Sequence, residues 1–119
     1  MGRKTFESFP KPLPNRVHVV ITRNKNYKKE GAIIVHSMED ALAVAKGDEQ
    51  PFIIGGGEIY KMGLEFANKI ELTRVEGAFK ADTFFPEIPS AIWKLSSEEH
   101  HAKDARHKFA FSYQTFLRT

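Results

Sequence analysis

Residues 52–63 read FIIGGGEIYKMG, a short apolar run that passes through three consecutive glycines into a segment with helical spacing. Glycine loses more backbone freedom on folding than any other residue, so such a run marks a backbone in an unusual conformation or one that something approaches closely. PFII, 51–54, is short and fully apolar, the pattern of a central strand, and EIYKMGLEFAN, 58–68, reads as a short helix. In α/β sheets ligands bind outside the carboxyl ends of the strands, and the N–H groups at a helix start attract anions. Gly55, Gly56 and Gly57 occupy that place, which makes a phosphate the candidate ligand. Tyr60 stands where the third glycine of G-x-G-x-x-G would fall, and no glycine loop ends in Lys-Ser or Lys-Thr. Neither a standard dinucleotide fingerprint nor a P-loop is therefore present. From the glycines alone, a tight turn that only permits close packing is an equal alternative.

The rest of the chain alternates strand and helix without an internal repeat. RVHVVITR, 16–23, is β-branched and apolar and follows the rigid segment PKPLPN, so it reads as a strand, as does AIIVH, 32–36. SMEDALAVAKG follows at once: Ser37 can cap, Glu39 and Asp40 fall in the first turn, and Gly47 closes the helix. Met38, Ala41, Leu42 and Ala45 share one face of it. IELTRVEG, 70–77, is a further strand, and WKLSSEEHH, 93–101, with HKFAFSYQTFLR, 107–118, flanks KDA as a long hairpin. Phe109, Phe111, Tyr113, Thr115 and Leu117 alternate onto one face of its second strand. The expected architecture is α/β, a mixed and mostly parallel sheet flanked by helices with a carboxyl-terminal antiparallel hairpin.

At 119 residues one domain is expected, and the 41% hydrophobic and 28% charged content is that of a globular chain. The net charge of +3 comes from basic residues interleaved with acidic ones, which suits a small anionic ligand better than a nucleic-acid backbone. With no cysteine there is neither disulfide nor thiolate chemistry. Without a membrane-length apolar run or a signal-peptide core, the expectation is a cytoplasmic protein with no membrane partner. His100, His101 and Asp104 invite a metal reading, but adjacent strand histidines point to opposite faces and no third ligand has suitable spacing, so no metal is expected.

MGRKTFES, PLPNR, VVITRN, IVHSMEDAL, FIIGGGEIY, IELTRVEG, ADTFFPEI and the terminal hairpin occur in the order found in dihydrofolate reductases. The resemblance to that family covers the whole chain and implies a single dihydrofolate reductase-like domain over residues 1–119 that binds NADPH. It places Gly55, Gly56 and Gly57 beneath the nicotinamide and pyrophosphate, with a cis peptide between the first two, and Glu58, Ile59 and Tyr60 at a helix start facing the pyrophosphate. Gly2, Arg3, Lys4 and Thr5 match a second helix start beside the cofactor, with Arg3 and Lys4 as charge partners and Thr5 as a hydroxyl donor. Thr22 and Arg23 match the 2′-phosphate site, and His36 and Ser37 the adenine side. Glu58 sits where some members carry a basic residue, which leaves the phosphate to Arg3 and Arg23. Read without the resemblance, Arg3, Lys4 and Arg23 are ordinary solvated charges.

On the substrate side the resemblance assigns Arg16 to the folate glutamate carboxylate, which a planar guanidinium can hold by two parallel hydrogen bonds. Phe9, Lys11 and Leu13 match positions along the benzoyl and glutamyl part, Ile54 and Tyr60 line the pterin and nicotinamide pocket, and Thr73 supports the pterin end. By residue type alone Phe9, Leu13 and Ile54 read equally well as core. The family begins with a strand, a loop and a helix bearing the active-site carboxylate, and no residue here matches that carboxylate, so the catalytic acid is unknown. The implied reaction is NADPH-dependent reduction of 7,8-dihydrofolate, with antifolates as further ligands. The chain is expected to be amino-terminally incomplete and inactive alone, with a partner chain or segment completing the sheet. Two alternatives stand beside this: the pyrimidine reductase of riboflavin synthesis and a non-catalytic nucleotide-binding remnant.

Overall fold

A computed structural model describes all 119 residues, which divide into two compact units, Met1–Glu65 and Phe66–Thr119.

In the first unit, helix α1 (Arg3–Glu7) starts from extended Gly2 and buries Phe6. Pro10 excludes helical geometry at the residue before it, so α1 stops within two turns. Strands β1 (Val19–Ile21) and β2 (Ile33–Val35) pair in parallel, Val19 opposite Ile33 and Ile21 opposite Val35. Helix α2 (Met38–Val44) begins where the sequence indicates: the Asp40 N–H donates to Ser37 Oγ at 3.0 Å, and Glu39 and Asp40 favour the positive end of the helix dipole. A single 3-10 turn, Ala45–Gly47, ends it. Helix α3 (Gly57–Gly63) follows the glycines. Ile21, Val35, Met38 and Ile59 form the core of this unit, joined by Val19, Ala41, Leu42 and Ile53. Val20 is fully buried, a contribution of about 1.5 to 3 kcal/mol for a side chain of that size.

Three expectations are revised here. RVHVVITR contributes only Val19–Ile21 to a strand, because its ladder with β2 is three residues long. PFII is not a strand: no backbone group of residues 51–54 hydrogen-bonds to another part of the chain, and Phe52 is 68% exposed. An apolar run has strand propensity, but a strand exists only where a neighbour supplies the ladder. The helix of 58–68 ends at Gly63, where a Cβ would lie 2.5 Å from Ile53 Cδ1; the missing side chain lets α3 rest on that isoleucine.

The second unit is an antiparallel sheet of β3 (Lys69–Val75), β5 (Phe111–Arg118) and β4 (Trp93–His101), in that spatial order. β5 is central, and a register shift between Leu95 and Ser97 interrupts its pairing with β4. Trp93 is buried beneath the Arg118 guanidinium, 4.7 Å from the ring centroid. The hairpin connection is longer than KDA, since residues 102–110 lie outside both strands. His101 stacks on Phe111 at 4.9 Å and meets Tyr113 edge-on, on the face that also carries Thr115 and Leu117. His101 Nε2 lies 3.2 Å from Glu99, while His100 Nδ1 bonds Ser112 Oγ; no cluster of three or more His, Asp or Glu is arranged to hold a metal. No helix is long and apolar enough to cross a membrane.

Asp104 organises the connection. Its carboxylate accepts the N–H groups of Arg106 and His107, each at 2.8 Å. These bonds, that from Arg106 first, hold the carboxyl below its ordinary value of 3.8. Folding therefore favours the ionised form, so the contribution is present above the unfolded value and is lost as pH falls through the folded one. The melting-temperature difference between wild type and Asp104→Asn should be constant near neutrality and shrink on acidification below 3.8. A difference that does not change with pH would show that the charge does not hold this turn.

Candidate functional site

The amino-terminal residues of the chain lie between two segments that do not touch each other through the ladder. The Met1 amine donates to Val19 O at 3.0 Å, Ile21 N–H donates to Met1 O at 2.9 Å, and Gly2 N–H donates to Gly55 O at 2.7 Å. Burial of the Met1 amine lowers its proton affinity below the ordinary 8.0. The result is that the starts of α1 and α3 lie beside the carboxyl end of β1. Neither helix has a side-chain cap; Gly2 forms a parallel bridge to Ile21 at the start of α1, and the first N–H groups after Gly56 are left for another acceptor.

Gly55 has φ of +109° and its peptide to Gly56 is cis. A Cβ at Gly55 would sit 3.1 Å from Tyr60 Cε2, and one at Gly56 would sit 3.7 Å from Thr5 Oγ1. The glycines thus let the Tyr60 ring and the first turn of α1 close around the bend. Burial raises the Tyr60 hydroxyl above its ordinary proton affinity, keeping it a neutral donor. Ile59, by contrast, points into the core, which leaves its backbone as what it can offer a ligand.

Thr22 and Arg23 follow β1, and His36 and Ser37 follow β2, so the parallel pairing brings all four to one edge. His36 Nδ1 lies 2.8 Å from Thr22 O; the carbonyl only accepts, so Nδ1 carries the proton and Nε2 is free to accept. Arg23 is exposed and makes no ion pair. Arg3, however, is bound to Glu7 at 3.0 Å, and the other Glu7 oxygen accepts from Tyr27 OH at 2.8 Å. Lys4 and Glu58 are exposed.

On the other side of Met1 lies an open cavity of ≈ 1030 Å³ bordered by Leu13, Arg16, Val17, Val19, Phe52 and Ile54. Three residues expected on the substrate side, Leu13, Arg16 and Ile54, are therefore brought together. Phe9 packs edge-on against Phe6 and His18, Lys11 is exposed, and Thr73 lies on β3 opposite Tyr113, in the second unit. Sequence reasoning passed over His18, which is 3% exposed and accepts the Leu13 N–H at Nε2, 3.2 Å away. The signal was available: a lone histidine in an otherwise apolar strand has to find a partner.

A parallel strand pair that delivers its carboxyl ends to a glycine bend and two uncapped helix starts is the construction of a nucleotide-binding α/β enzyme. The chain belongs to the dihydrofolate reductase family: the family model described as dihydrofolate reductase matches residues 1–118. It is 36% identical to the dihydrofolate reductase of Bacillus subtilis over 113 residues, 95% of this chain and 67% of that protein. It is also 36% identical to the type 3 dihydrofolate reductase of Salmonella typhimurium, over 99% of this chain and 73% of the relative. Among solved structures, the Enterococcus faecalis dihydrofolate reductase complexed with NADP(H) and RAB-propyl superposes with a TM-score of 0.86 at 34% identity, covering 99% of this chain and 71% of that one. The α/β fold expected from the motifs is thereby established.

Gly55→Ala tests the bend. Its positive φ disfavours any Cβ and Tyr60 fills the space, so the substitution should cost about 1 to 3 kcal/mol of stability. Denaturant unfolding of the variant measures it; an unchanged midpoint would mean that the bend accepts a side chain.

Proposed function

We propose that the chain is the cofactor- and folate-binding portion of an enzyme that reduces 7,8-dihydrofolate to 5,6,7,8-tetrahydrofolate with NADPH, a step of tetrahydrofolate biosynthesis and one-carbon metabolism. The observation that carries this reading is the bend at Gly55–Gly57, tied through Gly2 to α1 and β1, in a chain that matches the family almost end to end. That unbroken match also supports treating the two units as parts of one reductase domain, and a cysteine-free chain suits the cytoplasm.

When bound, NADPH supplies the hydride. The chain's own residues bind and orient. The N–H groups after Gly2 and Gly56 face the pyrophosphate, with Arg3 and Lys4 directly after Gly2, Arg23 and Thr22 face the 2′-phosphate, and His36 and Ser37 border the adenine. Arg16 pairs with the glutamate carboxylate of the substrate while Leu13 and Ile54 give it an apolar wall.

We also infer that an extended strand, from this polypeptide or another, completes the sheet in the cavity beside Met1. His18 and Thr22 use their backbone groups on β2, so Val17, Val19 and Ile21 direct theirs to the opposite side, where Met1 takes two of them. Continuing the parallel register, the next residue would use Ile53 C=O and Gly55 N–H, and the one beyond it Val17 C=O and Val19 N–H. The exposure of Val17 and Phe52, 76% and 68%, supports an apolar occupant. The catalytic carboxylate belongs with that segment.

Dihydrofolate-dependent oxidation of NADPH should be negligible for the 119-residue chain and return when the unmatched portion of the Enterococcus faecalis enzyme is supplied in trans. Robust turnover by the chain alone would remove the need for a second segment, and failure of either ligand to bind under both conditions would refute the assignment. Competition by an antifolate separates it from the pyrimidine reductase reading. Arg16→Leu should weaken dihydrofolate binding by about 2 to 4 kcal/mol while leaving NADPH affinity nearly unchanged; equal losses would make Arg16 structural. NADPH should raise the melting temperature more than NADH, and equal shifts would refute the 2′-phosphate assignment.

A further inference from the structure

Residues 10–17 contain Pro10, Pro12 and Pro14, which have no N–H to donate, and Asn15 at a positive φ of 58°. They turn at Pro14–Asn15 and make no backbone–backbone hydrogen bond to the rest of the chain. The hydrogen bond that ties them to the rest of the chain is from Leu13 N–H to His18 Nε2. It closes a ring of chain from 13 to 18, and Arg16 lies inside that ring. His18 itself is held from several sides: its ring meets Phe6 at 5.5 Å and Phe9 at 6.3 Å, both edge-on, and its carbonyl accepts Ile33 N–H at 2.8 Å. An acceptor fixed this well can hold a loop that has no ladder of its own. Because Leu13 N–H must donate, Nε2 is unprotonated and the neutral ring carries its proton on Nδ1.

We propose that His18 is the positioning residue of the carboxylate site: through Leu13 it holds the proline-rich loop so that the Arg16 guanidinium stands preorganised on the cavity rim. This rests on the reading of Arg16 as the partner of the substrate carboxylate. A guanidinium on an unanchored loop would have to be ordered on binding, which costs affinity for the ligand that uses it and for no other. His18 is only 3% exposed at the cavity wall, and in this proposal it acts through the loop.

The test compares His18→Phe, which keeps a ring but loses the acceptor, with His18→Gln, whose amide oxygen reaches the place of Nε2. Three affinities are measured by calorimetry: for dihydrofolate, for a dihydropterin lacking the benzoyl-glutamate, and for NADPH. His18→Phe should weaken dihydrofolate binding roughly tenfold, the size of one neutral hydrogen bond, and leave the other two unchanged. His18→Gln should restore most of the loss, and Arg16→Leu added to His18→Phe should cost less than it does alone. Amide exchange at Leu13, which needs no ligand, should accelerate in His18→Phe and recover in His18→Gln. Unaltered Leu13 exchange, or equal losses for both pterin ligands, would overturn the role of His18. A wild type that does not prefer the glutamate-bearing ligand would instead refute the carboxylate reading, and this proposal with it. If His18→Phe does not fold, His18→Asn, whose shorter amide stops short of Leu13, takes its place with the same expected outcomes.

Discussion

Two residues hold the first unit together. Met1 and Gly2 are bonded on one side to Val19 and Ile21 and on the other to Gly55, so a single dipeptide fixes the separation between β1 and the glycine bend. Everything at the cofactor end depends on that separation. It brings the starts of α1 and α3 together, lets Thr5 reach the surface of Gly56, and seats Ile59 in the core with Ile21 and Val35. Gly2 itself is confined, since a Cβ there would lie 3.3 Å from Ile59 Cγ1. Close approach is why glycine stands at Gly2, whereas at Gly55 a positive φ and the Tyr60 ring both require it.

Local signals were legible in the sequence and partner-dependent ones were not. The Ser37 cap, the first-turn acids and the apolar face of α2 are decided within a few residues of each other, and the helix forms there. β4 has the bounds its sequence suggests, because β5 supplies a partner along its length. PFII has stronger strand composition than either, yet remains unpaired, because a ladder needs a neighbour and Gly2 reaches only as far as Gly55. Arg16, Leu13 and Ile54 came from motif resemblance, and the structure gathers them on one cavity. His18 was hidden by its surroundings: in RVHVV it reads as strand filler, and its partner Leu13 lies in a loop whose path no periodicity describes.

Charge near the proposed phosphate sites is likewise governed by geometry that composition cannot show. Arg3, Lys4 and Arg23 look equivalent in the sequence, but Arg3 is engaged by Glu7, whose second oxygen is held by Tyr27. An exposed i,i+4 pair of this kind is worth only about 0.3 to 0.5 kcal/mol. A phosphate carrying nearly two charges, aligned by backbone N–H groups, offers more than that, so Glu7 can guide the Arg3 side chain without locking it away. Arg23 needs no such exchange, because it is exposed at the end of β1 beside a His36 whose ring is already oriented by Thr22 O. Selectivity for the 2′-phosphate would then be set chiefly at the strand ends, by a cation that is free before the ligand arrives, while the start of α1 contributes backbone donors and a guanidinium recruited from its own helix.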